Sequence, residues 1–352
     1  MAKEVSIKPP VAFATVFPGQ KTAVDPRLIV IARTIEKQLD CRVFCLIHHP
    51  EGENYQIDTF SSYMFGRAAR SIHKQPKGKP IAILLHSPGG DAHAAFRLAR
   101  ALIRHCGSYS VIIPHYAKSA ATLFSLGASK IYLGECAELG PIDVQVADPE
   151  RERELSALEM VQSLERLNSE AMQIVDTMMV SLMNRSGKRI ESLLPHVLKY
   201  AADITRPIFE KIDTVGFTYH ARLLKIGEDY AKMLLRPVYG AELAERIAYS
   251  LTRKYPDHGF VIDRDEAEEI GLEFLPIPDN LCEPLEHSPL SYTKGTVVGF
   301  LEDEHAAKTN ENKAQSTKPA TRPGPQRSAR RNGTQRRTRD RVGQNGPLEF
   351  LE

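Results

Sequence analysis

Between Ile81 and Leu133 three short apolar runs alternate with stretches of helical length, and this alternation leaves the chain very few folds. Ile81-Ala-Ile-Leu-Leu85, Tyr109 to Pro114 and Lys130 to Leu133 read as strands. Ala92 to His105 reads as the helix between the first two, and Ser119 to Leu126 opens another. Strands separated by helices indicate βαβ units in a mainly parallel sheet, with right-handed crossovers. Upstream, Arg27 to Gln38 suits a short helix, Arg42 to Ile47 a buried strand, and Asp58 to Ile72 a helix leading into the loop Lys74 to Pro80.

The texture changes on either side of this block. Residues 1–24 carry several prolines and read as an irregular lead-in. From Glu150 the residues Leu155, Leu158, Val161, Leu164, Met172, Val175, Met179 and Leu182 recur at helical spacing, predicting a long amphipathic helix that ends near Gly187. Such a stripe is a core or oligomer seam, and further helix follows to about Leu235, so residues 150–235 form a helical arm. A smaller α/β piece is expected from Ala241 to Leu272. The main domain is then 25–280, followed by a linker over 281–304. Residues 305–352 are polar and rich in Pro, Gly, Asn, Gln and Arg, which predicts a disordered tail.

Charge separates tail from body. His305 to Val342 holds eleven basic residues against two acidic ones, a local balance of +9 that leaves −7 elsewhere within an overall +2. Such a tail can contact polyanions or nucleic acid without sequence preference, or simply solubilise the protein. No zinc-finger, RNA-binding or helix-turn-helix signature accompanies it. The five cysteines are scattered and form no C-x-x-C pair. That pattern suits a reducing compartment and offers no metal ligands. The N-terminus lacks the basic-then-apolar layout of a secretory signal, and no stretch reaches the roughly 20 apolar residues of a membrane span. The expected location is cytoplasmic.

Two strand-to-helix junctions carry the chemistry. At the first, Ser87-Pro-Gly-Gly-Asp91, paired glycines let a ligand approach the backbone, with N–H groups facing a developing negative charge. At the second, His115-Tyr-Ala-Lys-Ser-Ala-Ala-Thr122, a serine opens a helix, a position where serine is ordinarily a cap. Both junctions open at the carboxyl edge of the same sheet, where such sheets bind ligands. One offers a hydroxyl and the other backbone donors, as acyl transfer requires.

Ser-Pro-Gly-Gly-Asp91, Ala-Lys-Ser119-Ala-Ala and Leu139-Gly-Pro-Ile-Asp143-Val-Gln, in this order and spacing, resemble the α/β Clp/crotonase superfamily of serine peptidases. Within it the chain is most similar to the serine dehydrogenase proteinase family, over roughly Asp25 to Leu272. The resemblance implies a core of repeated ββα/βαβ units, a homo-oligomer, a peptide or protein substrate, and neither metal nor organic cofactor. It implies Ser119 as nucleophile, Gly90 and Ala120 as oxyanion donors, and a triad in the order Ser, Asp, His. That order is met by Ser119, Asp143 and His258.

Several positions stay open at this level. His86, His93, His115, His196 and His220 compete with His258, which leads because it lies in an irregular segment before a strand-like run. Asp143 falls 24 residues after Ser119, where Clp peptidases place their histidine, but an Asp can also close a Gly-Pro turn. Asp263 is the other carboxylate. Signal peptide peptidase A relatives use a Ser–Lys dyad, for which Lys188 and Lys199 are better placed than Lys118. Crotonase-like acyl-CoA chemistry needs no nucleophilic serine, and a non-catalytic scaffold working through the tail needs no site at all.

Overall fold

The structure, a computed structural model, describes residues 12–17, 20–49, 55–58, 79–148, 153–286, 293 and 295–303. The chain divides into two units, Met1–Lys308 and Thr309–Glu352. The second unit, and with it the expected basic tail from residue 305, lies outside the described residues. So does most of the expected helix Asp58 to Ile72.

The alternating block folds as expected. Strand β3 (Arg42–Ile47), β4 (Ile81–His86), β5 (Tyr109–Ile113) and β7 (Lys130–Leu133) are parallel neighbours, joined at the edge by β11 (Leu275–Pro276). Helix α1 (Pro26–Gln38) precedes β3, α2 (Ala92–Cys106) joins β4 to β5, and α3 (Ala120–Ser125) follows the two-residue strand β6 (Tyr116–Ala117). The strands are buried on both faces, and their period of two sorts the side chains between two cores. Phe44, Leu46, Ile81, Ile83, Leu85, Val111 and Ile113 meet α2 and α3 on one side. Val43, Cys45, Ile47, Ala82, Leu84 and Ile112 meet Leu28, Ile31, Ala32 and Ile35 of α1 on the other. Covered faces explain why these runs are almost wholly apolar.

Three expectations need correction. Residues 1–24 contain a hairpin of β1 (Ala12–Phe17) and β2 (Gln20–Val24). Residues 281–304 are not simply a linker. Helix α8 (Asp279–Glu286) packs Leu281 and Leu285 onto the α1 face, and β12 (Val297–Asp303) runs antiparallel between β3 and β1. The sheet is therefore eight-stranded, in the order β11-β7-β5-β4-β3-β12-β1-β2, with four parallel pairings and three antiparallel ones at the β12-β1-β2 end. Isolated short strands whose partners lie hundreds of residues away carry little local signal, and prolines between them read as irregularity. Third, Ala241–Leu272 is not a separate α/β piece. Its first part continues α6 (Thr214–Arg253), a helix broken at Gly240, where φ is 77° and ψ 178°. Past that break Ala244, Ile247, Ala248 and Leu251 join the main core, and the short helix α7 (Arg264–Glu269) follows.

The arm is helical as expected. Helix α4 (Ala157–Ser186) ends at Gly187, whose φ of 64° gives a left-handed cap, and α5 (Ile190–Phe209) follows. Only Ala157, Leu158 and Val161 of α4 are buried, packed with Leu224 of α6. Ile190, Leu194, Leu198, Ile204 and Ile208 of α5 are exposed. No described helix is long and apolar enough to cross a membrane.

Candidate active site

The two junctions meet because glycine lets them. Ser87 forms a parallel bridge with Ala117, and the Lys118 N–H donates to the Ser87 carbonyl at 3.0 Å. Gly89 (φ 112°) and Gly90 (φ 133°) both lie in the positive-φ region. A Cβ on Gly89 would stand 2.7 Å from the Lys118 oxygen and from Ser119 Cβ. A Cβ on Gly90 would collide with the backbone of Ile57, which bridges Gly90 from the other side. Asp91 has a plainer task, capping α2 by accepting from the His93 N–H at 2.9 Å. Among the described residues neither the Gly90 N–H nor the Ala120 N–H has an acceptor, and both residues line one cavity with Ser119.

Ser119 does not behave as a cap. It sits at the turn from β6 into α3 with φ 52° and ψ −120°, and its side chain makes no capping hydrogen bond. A non-glycine residue held there costs about 1–3 kcal/mol, a strain that persists only when the surroundings impose it. Sharp strand-to-helix turns of this kind present a hydroxyl to a cleft.

A second pair of loops brings Asp143 and His258 together. Leu139, in the two-residue strand β8 (Glu138–Leu139), and Ile262, just before α7, exchange N–H···O bonds of 2.8 and 3.1 Å. The Ile142 N–H donates to Leu251 of α6 at 3.0 Å. With both loops pinned, His258 Nδ1 lies 2.7 Å from Asp143 Oδ1 across 115 residues of sequence. Asp143 is 4% exposed, and its Oδ2 accepts from Ser156 Oγ at 2.6 Å and from Gln145 Nε2 at 3.1 Å. Burial pushes this carboxyl up, but the hydrogen bonds from His258 and Ser156 and the imidazole's charge outweigh it, so its pKa is lowered.

Gly90, Ser119, Ala120, Asp143 and His258 share a cavity of about 500 Å³, flanked by Leu123, Ile142, Val144, Val146, Leu223 and Ile226. Among the described residues no hydrogen bond joins Ser119 Oγ to His258. Of the competing histidines only His93 reaches the cavity, where its Nδ1 engages Tyr230 Oη at 2.9 Å. His86 is buried against Tyr116, His115 lines a different cavity, His196 is exposed on α5, and His220 bonds the Gly216 carbonyl. Asp263 caps α7. Lys118 turns away to Glu138 at 2.9 Å, Lys188 and Lys199 are exposed, and no described lysine lines the cavity. Among the described residues no group of three His, Cys, Asp or Glu is arranged to hold a metal ion.

Sequence reading missed Ser156 and Gln145. Ser-Ala-Leu-Glu159 has the form of a capping box, and Ser156 does accept from the Leu158 N–H at 3.0 Å. Nothing local announces its second bond, to Asp143.

Residues 19–228 match the family described as ClpP-like SDH-type serine proteinase. The chain belongs to that family. The matched stretch holds Gly90, Ser119, Ala120, Asp143 and Ser156, while His258 lies beyond it. An uncharacterized protein of Methanocaldococcus jannaschii is 30% identical over 204 residues, or 58% of this chain and 56% of the relative, so the chain spans little more than half of that relative's length. A second uncharacterized protein of that organism is 26% identical over 289 residues, covering 80% of this chain and 83% of the relative. Among solved structures, a mutant membrane-bound stomatin-specific protease shares 20% identity, 38% of this chain and 61% of its own, with a TM-score of 0.27. A ClpP1 mutant from Listeria monocytogenes shares 17% identity, 46% of this chain and 82% of its own, with a TM-score of 0.26.

Replacing Gly90 with valine sets a β-branched side chain against Ile57 at a φ that L-residues avoid. If the Gly90 N–H serves as an oxyanion donor, reaction of Ser119 with an acylating probe is expected to fall at least about 100-fold, the usual cost of losing one. Mass-spectrometric labelling rates at matched foldedness measure it, and a near-normal rate removes Gly90 from the site.

Proposed function

We propose that the protein is a serine peptidase that hydrolyses peptide bonds through an acyl-enzyme on Ser119. The observation that carries this reading is the shared cavity: a strained serine without a capping hydrogen bond, two N–H groups that have no acceptor among the described residues, and a hydrogen-bonded Asp–His pair. His258 takes the Ser119 proton as Oγ attacks the scissile carbonyl carbon, and Asp143 fixes its tautomer and stabilises the imidazolium. The Gly90 and Ala120 N–H groups hold the tetrahedral oxyanion. His258 then returns the proton to the departing amine; a water deprotonated by His258 attacks the acyl carbon, and His258 passes that proton to Ser119 Oγ as the ester bond breaks.

The histidine takes the base role over a lysine because no described lysine lines the cavity. The apolar flank formed by Leu123, Val144, Leu223 and Ile226 suits an apolar substrate side chain beside the scissile bond. The exposed apolar residues of α5 support assembly of copies of this chain through the arm. Five unpaired cysteines support a reducing, cytoplasmic setting.

A fluorophosphonate probe followed by peptide mapping tests the reading. Label is expected on Ser119, absent in Ser119→Ala, and at least about 100-fold slower in His258→Ala. A folded wild-type protein that leaves Ser119 unlabelled, alone and as an oligomer, overturns it.

A further inference from the structure

We propose that Ser156 is a positioning residue: its hydroxyl holds the Asp143 carboxylate in the orientation that His258 needs, and ties it to the first turn of the helical arm. The inference rests on the peptidase reading for its rate measurement, though not for its spectroscopic one.

Ser156 closes the hairpin of β9 (Gln145–Asp148) and β10 (Arg153–Ser156), paired directly with Gln145. It is also the N-cap of α4. Its Oγ accepts from the Leu158 N–H at 3.0 Å and stands 2.6 Å from Asp143 Oδ2. A hydroxyl has one hydrogen and two lone pairs. The Leu158 N–H occupies a lone pair, so the hydrogen is left for the carboxylate, which can only accept. The short separation matches a charge-assisted O–H···O⁻ bond. The next residue repeats the tether, since the Ala157 N–H donates to the Val144 carbonyl at 2.9 Å. The loop bearing Asp143 is thus bonded on consecutive residues to the start of α4.

Without the hydroxyl, Oδ2 keeps only the weaker Gln145 donor at 3.1 Å, and the buried carboxylate is free to turn about its Cβ–Cγ bond. Oδ1 then loses its alignment with His258 Nδ1. The residue acts through Asp143 and touches no reacting atom.

Three substitutions separate this role from helix capping. Ser156→Ala removes both donor and cap, Ser156→Gly removes the donor but is tolerated at an N-cap, and Ser156→Thr keeps both. Fluorophosphonate labelling of Ser119 is expected to slow roughly 10- to 100-fold in the Ala and Gly variants alike, as for loss of a hydrogen bond to a charged group, and to recover in Thr. In the full-length protein, the proton resonance of His258 Nδ1–H, assigned by its loss in His258→Gln, is expected downfield in wild type and Thr and displaced upfield in Ala and Gly. If Gly matches wild type while Ala does not, Ser156 acts only as a cap and the proposal falls. Unchanged rates and resonance in both Ala and Gly also overturn it, with the peptidase reading intact. A wild-type protein inert to the probe, whose resonance still follows the Ser156 hydroxyl, sinks the peptidase reading and leaves the positioning role standing.

Discussion

Asp143→Asn is expected to lower turnover of a peptide substrate by about 10⁴-fold, the loss that follows when the carboxylate of a Ser-His-Asp arrangement becomes an amide. The structure explains why an amide cannot substitute. Three donors converge on Asp143: His258 Nδ1–H and the groups on Ser156 and Gln145. Only an ionised carboxylate accepts from all three. An asparagine turned to present oxygen to Ser156 and Gln145 points its NH₂ at His258. The imidazole must then accept at Nδ1 and carry its proton on Nε2, which removes the base of the proposed mechanism. Turned the other way, the NH₂ faces the donors from Ser156 and Gln145 at a buried site. Circular dichroism and thermal unfolding control for folding, and steady-state kinetics read the loss. A decrease of less than tenfold would remove Asp143 from the mechanism.

The second large effect concerns stability and falls outside the site. His48, just past the end of β3, and His86, the last residue of the adjacent β4, are almost fully buried, and among the described residues neither has a hydrogen-bond partner on either ring nitrogen. Burial lowers both to about 4, helped at His86 by the charges of His115 and His48 and opposed at His48 by Asp58. An unfolded chain titrates these groups near 6.5. Stability from their neutral forms is therefore complete above that value and is lost as pH falls toward 4. At pH 5 linkage gives a loss of about 2 kcal/mol for each histidine relative to pH 7.5. The pair removes roughly 4 kcal/mol from a typical total of about 5–15. Urea unfolding at the two pH values measures it. In His86→Phe, which keeps a ring against Tyr116 at 4.0 Å in the parent, about half of the pH dependence should vanish. Asp143 does not confuse the result: its lowered pKa means its own contribution is lost only at still lower pH. Equal stability at pH 7.5 and pH 5 would show that the histidines reach water or a partner.

What the sequence by itself determined is whatever a few neighbouring residues can encode. The runs Ile81–Leu85 and Tyr109–Ile113 announce buried strands by composition, and Ala92–His105 announces a helix. The glycine pair at 89 and 90 marks a turn, and Ser119 stands out because its junction pairs with that turn at one sheet edge and its Ala-Lys-Ser-Ala-Ala run resembles the family's. Gly187 stops α4 for the same local reason. Tertiary structure alone decided the rest. Strand β12 pairs Val297 with Ile47, and no pattern inside seven residues names a partner 250 positions away. Sequence could offer His258 and Asp143 in the right order, but could not choose between Asp143 and Asp263. The fold adds a pairing: the Leu139–Ile262 bridge closes two loops onto each other and sets Asp143 at 2.7 Å from His258, while Asp263 caps α7. Ser156 reads locally as a cap, which it is, and its bond to Asp143 exists only because the β9–β10 hairpin folds it back beside Gln145. Propensity, period and permitted φ act over one to four residues. The distances that make a site are set by loop closure and sheet register, which belong to the whole folded chain.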